Sequence, residues 1–166
     1  MTQMRTIESV PFAGDLAAAL AVPGTDAMRV AEDFFGLADL FKENARLGRA
    51  LTDPARSTAD KRSLAAQAFA SHVTGATMTV LNALVAEHWR RPADVTDTLE
   101  VLGILGVLNA AGAHSALDQV REELFQVRYF LAHHREVRVR LSDTSKGNSH
   151  ERGDIASRLF AQRVSV

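Results

Sequence analysis

EDFFGLADLFKENARLGRALTD fills residues 32–53, and EELFQVRYFLAHHREVRVRLSD fills residues 122–143. Laid over each other without a gap, the two stretches agree in pattern. Glu32 meets Glu122, Phe35 meets Phe125, Leu37 meets Val127, Leu47 meets Val137, Leu51 meets Leu141 and Asp53 meets Asp143. After one inserted residue the match resumes, with KRSLAAQAFASHV (61–73) over RGDIASRLFAQRV (152–164). A solenoid unit runs about 20–50 residues, well short of this period. The pattern therefore predicts a small helical domain present twice. After Val164 nothing matches the helical run 75–89 of the first copy, so the second copy is expected to be incomplete. The expected bounds are 1–112 for the first copy and 97–166 for the second, with a helix around 97–111 shared between them.

Helical period runs through almost every segment, so the fold class expected is all-α, a duplicated helical bundle. Ala27, Val30, Phe34, Leu37 and Phe41 recur at helical spacing, as do Leu117, Val120, Leu124, Val127 and Leu131. The same spacing in both places predicts that Phe34, Leu37, Phe41, Leu124, Val127 and Leu131 are buried. Pro23-Gly24 should break a short first helix (14–22), with Thr25 capping the next. Ser57-x-x-Asp60, Ser115-x-x-Asp118 and Asn148-x-x-Glu151 read as N-terminal caps with an acid near the positive end of the helix dipole. Asp53-Pro54 stops a short helix around 46–51, and Pro92 suits the first turn of a helix reaching about Ala111. Val137–Leu141 alternates like a strand, but it aligns with helix-like 47–51 and is read as helix. Residues 142–149 (SDTSKGNS) are rich in turn formers.

With 166 residues the chain can bury a core, and its formal net charge of −1 argues against a large sequence-independent attraction to nucleic acid. Absence of cysteine excludes disulfides and thiolate metal sites. The apolar run 12–22 carries Asp15 and follows Glu8, which does not suit a cleaved signal. The run 101–113 is short for a bilayer crossing and reads as a buried helix.

No catalytic, cofactor or metal constellation emerges. His133 and His134 are adjacent and point about 100° apart on a helix, whereas two ligands on one helix want i,i+4 spacing. They read as solvated helix-end residues, and His88 beside Trp89 reads as packing. Glu122-Glu123, aligned with Glu32-Asp33, reads as a solvated face rather than an acid–base pair. Ser9, Ser63 and Ser71 lack a base or an elbow motif. Gly103-x-x-Gly106 follows no strand, so it is no phosphate loop; small residues there permit close helix approach. Trp89-Arg90-Arg91-Pro92 is the one aromatic–basic cluster, read as a helix end with a packed indole. What remains is a helical scaffold able to receive an amphipathic partner helix.

The run LNAAGAHSALDQVREELFQVRYFL (108–131), followed by VRVRLSD, resembles the start of the delta subunit of bacterial F-type ATP synthases. This is the family called the oligomycin-sensitivity-conferring protein in mitochondria. Its "A-x-x-x-G-x-L-D-x-V-x-x-E-L" flavour continues into "L-R-x-x-L-x-D-P" and then a helix opening on Lys or Arg. Arg49, Leu51, Asp53, Pro54 and Lys61 fit the first copy; Arg140, Leu141 and Asp143 fit the second, where Thr144 replaces the proline. Residues 81–94 (LNALVAEHWRRPAD) resemble the helix that follows, above all in the long actinobacterial forms, which carry an extra helical copy ahead of the usual N-terminal domain.

The resemblance covers about residues 27–164 and implies a non-catalytic stator subunit, peripheral on the cytoplasmic face of the membrane, without direct insertion into it. The implied partners are the N-terminal helix of the ATP synthase alpha subunit and the b subunits, the latter through a C-terminal domain beyond this sequence. No cofactor and no nucleic acid are implied. The head-binding groove would use the first and fifth helices, taken as 15–22 and 60–70 in the first copy, and as the end of 101–111 with 152–161 in the second. Leu64, Ala68, Phe69, Leu105, Leu108, Ile155, Leu159 and Phe160 are its candidate lining, with packing inside their own bundle as the other reading. Two other classes stay open: an all-helical RNA-binding antitermination-type factor, supported by the Trp89 cluster, and a small helical enzyme or ligand-binding regulator.

Overall fold

The computed structural model describes residues 10–143 and 149–160, with side chains in the last segment from residue 151 onward. Among the described residues there are nine α-helices and no strand. They are α1 (Ala13–Leu20), α2 (Ala27–Glu43), α3 (Ala45–Thr52), α4 (Thr58–Phe69), α5 (Gly75–Ala86), α6 (Pro92–Ala113), α7 (Leu117–His133), α8 (Arg135–Ser142) and α9 (Ser149–Phe160). The chain forms two compact units, Met1–Ala110 and Ala111–Val166.

In the first unit, α2 buries one stripe: Val30, Ala31, Phe34, Leu37, Ala38 and Phe41. Against it lie Val80, Leu81, Leu84 and Val85 of α5 and Val95, Leu99 and Leu102 of α6, all fully buried. α5 is apolar on nearly every side because α1, α2 and α4 all pack on it. α4 contributes Ala65 and Phe69, whose ring meets Phe41 at 6.2 Å, and α1 contributes Leu16 and Ala19. α2 and α6 approach closely because α6 carries glycine at the contact. A Cβ on Gly106 would sit 3.0 Å from Ala31 Cβ, and one on Gly103 would sit 2.7 Å from the Phe35 ring. The small-residue reading of Gly103-x-x-Gly106 therefore holds. α6 is long and apolar enough to cross a membrane, so length does not argue against a span as expected; the burial of Val95, Leu99 and Leu102 reads it as a core helix.

Helix lengths in the second unit match those of α2, α3 and α4. α2 and α7 are each 17 residues long, α3 and α8 each 8, and α4 and α9 each 12. Ala27 and Leu117 start their helices 90 residues apart, as do Ala45 and Arg135; Thr58 and Ser149 are 91 apart. A single residue parts α2 from α3 and α7 from α8, Asn44 at φ −116°, ψ 70° and His134 at φ −119°, ψ 78°. Val137–Leu141 is helical, as read, inside α8.

The packing does not repeat. Phe34, Leu37 and Phe41 are buried, but Leu124 is 60 % exposed and Val127 and Leu131 are only half-buried. The expectation of burial fails there because, among the described residues, no helix of the second unit covers that face as α5 does in the first. Inside the second unit, α8 packs on α7 and on α9, and the Phe130 and Phe160 rings meet edge-on at 5.8 Å.

Several boundaries differ from expectation. Asp26, not Thr25, caps α2, accepting from the backbone N–H of Met28 and Arg29 at 2.9 and 3.2 Å, while Thr25 Oγ1 donates to the Ala19 carbonyl. A carboxylate is the stronger acceptor at the positive helix end. Ser57 caps α4 as expected, accepting from the Asp60 N–H at 3.1 Å. Ser115 does not cap α7: its φ is 57°, and Ala116 takes the cap position without a side-chain hydrogen bond. Residues 144–148, with the expected Asn148 cap and most of the turn-rich segment, lie outside the described residues, as do Ser9 and 161–164.

Candidate functional site

A cleft of about 650 Å3 in the first unit lies between the C-terminal end of α1 and the N-terminal end of α5. Its wall is mostly apolar: Ala18, Ala19, Val22 and Pro23 on one side, Gly75 and Ala76 on the other, with Thr25, Asp26, Thr74 and Thr79 supplying polar edges. The local sequence builds it directly. Pro23-Gly24 ends α1 in a turn, with Gly24 at φ 83°, a conformation that suits glycine. Thr74 starts α5, its hydroxyl oxygen accepting from the Thr77 N–H at 3.2 Å. Small residues on both helices leave room where larger ones would close the gap.

α5 is held in place by a buried polar joint. Asp33, on α2 and 8 % exposed, accepts from the Thr74 N–H at 2.7 Å and from the Thr77 hydroxyl at 2.8 Å. Arg29 Nε lies 3.7 Å from the other carboxylate oxygen. The carboxylate sits at the positive end of α5, where a helix dipole favours an anion. Sequence reading placed the Glu32-Asp33 pair on a solvated face. That is right for exposed Glu32 and wrong for Asp33, whose buried partners are 41 and 44 residues away in sequence.

The groove assignment also changes. Counted along the chain, 60–70 falls in the fourth helix; the fifth is Gly75–Ala86, and it is this helix that packs on α1. Of the named lining residues, Phe69 is buried in the first core, while Leu64, Ala68 and Leu105 are half-buried against it. Leu108 is half-buried on α6. In the second unit Ile155 borders an open cleft with Arg135, Glu136, Val139, Arg140 and Asp143. Leu159 is 38 % exposed, and Phe160 is buried. Leu64, Ala68 and Phe69 thus belong to the first unit and Ile155, Leu159 and Phe160 to the second, as the two expected grooves require. Sequence reasoning missed the α1–α5 cleft, although the alanine-rich end of α1 and the Thr-Gly-Ala start of α5 are its visible signals.

No group of three or more His, Asp or Glu able to hold a metal occurs among the described residues. His133 and His134 end α7: His133 Nδ1 lies 2.8 Å from the Tyr129 carbonyl, and the two rings lie over Tyr129 and Phe130. His88 is exposed, whereas Trp89 packs against the core. Its indole N–H donates to the Leu84 carbonyl at 2.8 Å, and its ring stacks on Phe12 at 5.9 Å. Arg91 pairs with Asp94 at 2.6 Å, and that hydrogen bond holds the guanidinium pKa above its usual value.

No family model matches the chain. Curated proteins do. The ATP synthase subunit delta of Salinispora tropica is 36 % identical over 134 residues, 81 % of this chain and 48 % of that protein. That of Kineococcus radiotolerans is 30 % identical over 146 residues, 88 % and 52 % of the two chains. That of Nocardia farcinica is 30 % identical over 149 residues, 90 % and 55 % of the two chains. The chain spans about half the length of these relatives. With its all-helical fold and its alignable length, it is homologous to actinobacterial ATP synthase delta subunits over most of its sequence.

Proposed function

We propose that this chain is a non-catalytic stator element of a rotary ATP synthase, helping to tie the catalytic head to the peripheral stalk at the cytoplasmic face of the membrane. The observation that carries the reading is homology to delta subunits along more than four-fifths of the chain. Torque on a rotor must be resisted by stiff elements and lasting interfaces rather than by a reactive centre. A helical unit locked by a filled core and a buried Asp33 joint suits that role.

The finer reading is that residues 1–112 and 97–166 are two copies of one delta-type N-terminal bundle, the second incomplete. Matching helix lengths and matching Asn44 and His134 backbone angles support it. In the first copy the N-terminal helix of an alpha subunit would lie in the α1–α5 cleft, its apolar face against Ala18, Val22 and Ala76. Leu64, Ala68, Leu105, Leu108, Ile155 and Leu159 would border partner contacts, with Phe69 and Phe160 supporting them from inside. Contacts to b subunits belong to the part of the longer relatives that this chain does not span. Against the RNA-binding reading, Trp89 is already stacked and hydrogen-bonded and Arg91 is paired, leaving no open aromatic platform in that cluster.

Titrating a peptide of the alpha-subunit N-terminal helix into the chain tests this. Saturable binding lost in Ala18→Glu, whose site is exposed in the free chain, is the expected result. No heat at high micromolar peptide, together with tight, salt-sensitive binding of RNA, would reverse the choice.

A further inference from the structure

We propose that the cleft between α8 and α9 is a docking site for an acidic, amphipathic helix of a partner protein, gripped by Arg135 and Arg140 over an apolar floor of Val139 and Ile155. The site belongs to the second unit, so it is separate from the α1–α5 cleft of the first and independent of what that cleft holds.

The cleft is open, about 650 Å3, and bounded by Arg135, Glu136, Val139, Arg140, Asp143 and Ile155. Val139 is 51 % exposed, and Ile155 is half-buried on α9. Arg135 and Arg140 are exposed, and among the described residues neither lies within ion-pair distance of a carboxylate. The two acids of the rim are engaged. Glu136 Oε1 lies 3.4 Å from His134 Nδ1, and Asp143 has an interaction of its own. The positive charge is particular to this unit, since the matching positions ninety residues earlier are Ala45 and Ala50.

Five residues along a helix rise roughly 7.5 Å, so carboxylates one to two turns apart on a partner helix can reach both arginines. A guanidinium fork suits a carboxylate in bidentate geometry. Such pairs are weak singly at an exposed site and are screened by salt. Val139 and Ile155 add the missing part, because an apolar side chain set between the partner's acids has aliphatic surface to cover. The same features count against a nucleic acid. Glu136 and Asp143 repel a continuous row of phosphates, whereas separate carboxylates can be spaced to avoid them. Aliphatic side chains also give bases no ring to stack on.

The probe is a synthetic helical peptide with glutamates one turn apart and leucines between them, titrated into the full chain by fluorescence anisotropy at low and physiological salt. Saturable binding that weakens with salt is expected. The affinity should fall about tenfold or more in Arg135→Glu, in Arg140→Glu and in Val139→Asp. Arg140→Lys keeps the charge without the fork and should lose less. Arg128→Glu makes the same change of charge on α7, outside the cleft, and should leave the affinity within about twofold. All four positions are exposed, so the variants should keep their helices by circular dichroism. No saturation at high micromolar peptide, or an equal loss in Arg128→Glu, would reduce the cleft to diffuse charge and overturn the proposal. So would a single-stranded RNA that binds more tightly than the peptide and depends on both arginines. A concentration-dependent dimer broken by Arg140→Glu would overturn it too, since a second copy would then be the occupant. Binding of the alpha-subunit peptide should be unchanged in the arginine variants, so the two sites can fail separately.

Discussion

α2 and α7 have the same length and end at the same bend, yet α2 buries seven residues and α7 buries none. The apolar spacing on the two helices is identical. What differs is the company. α2 lies under α5 and against α6, while α7 packs mainly on α8. Local pattern therefore decides where a helix starts, how far it runs and which face is apolar. Whether that face becomes core depends on helices far away in sequence, since most helical stability in proteins comes from tertiary packing.

The sharpest way to break this contrast is to cut the same position in both helices. Phe34→Ala should cost the first unit about 3–5 kcal/mol, because its ring is fully enclosed. Leu124→Ala, its counterpart, should shift denaturant unfolding by no more than about 0.5 kcal/mol. Equal costs would mean that α7 is covered in solution. Next in size is the polar joint. Asp33→Ala leaves the Thr74 N–H and Thr77 hydroxyl without their acceptor and should cost about 2–3 kcal/mol. Faster amide exchange at the first turn of α5 would locate the loss. A third test separates the two glycines of α6. Gly106→Ala meets Ala31 and the α2 backbone and should cost about 1–3 kcal/mol, even after the gain in helix propensity. Gly103→Ala meets first the Phe35 ring, a partly exposed side chain that can swing away, and should cost less by thermal melting. The smallest pair concerns caps. Ser57→Ala should lose about 1 kcal/mol. Ser115→Gly should be neutral or stabilising by up to about 1 kcal/mol, since glycine tolerates the positive φ that Ser115 adopts.

The helix content of the fold and the all-helical class were legible because they rest on spacing and on punctuation such as Asp53-Pro54, which ends α3. Ser57 was readable as a cap because its acceptor and donor lie three residues apart. Ser115 presents the same motif and fails, because the tight turn after α6 puts it in the left-handed region. Asp33 was misread for a related reason. Its donors are on α5, and nothing near it in sequence announces them. The α1–α5 cleft was hidden similarly, since a cleft belongs to two helices and a linear reading meets them one at a time.

The one-residue parting at Asn44 and His134 has a consequence for engineering. With a single residue between α2 and α3, an extra residue inserted there would turn α3 by about 100° about its axis and carry Leu51 off the core. The five residues 53–57 offer slack instead, and at the matching place the second unit carries six, 143–148. Tags, cleavage sites or reporter loops should therefore be tolerated between α3 and α4 and refused at the bend.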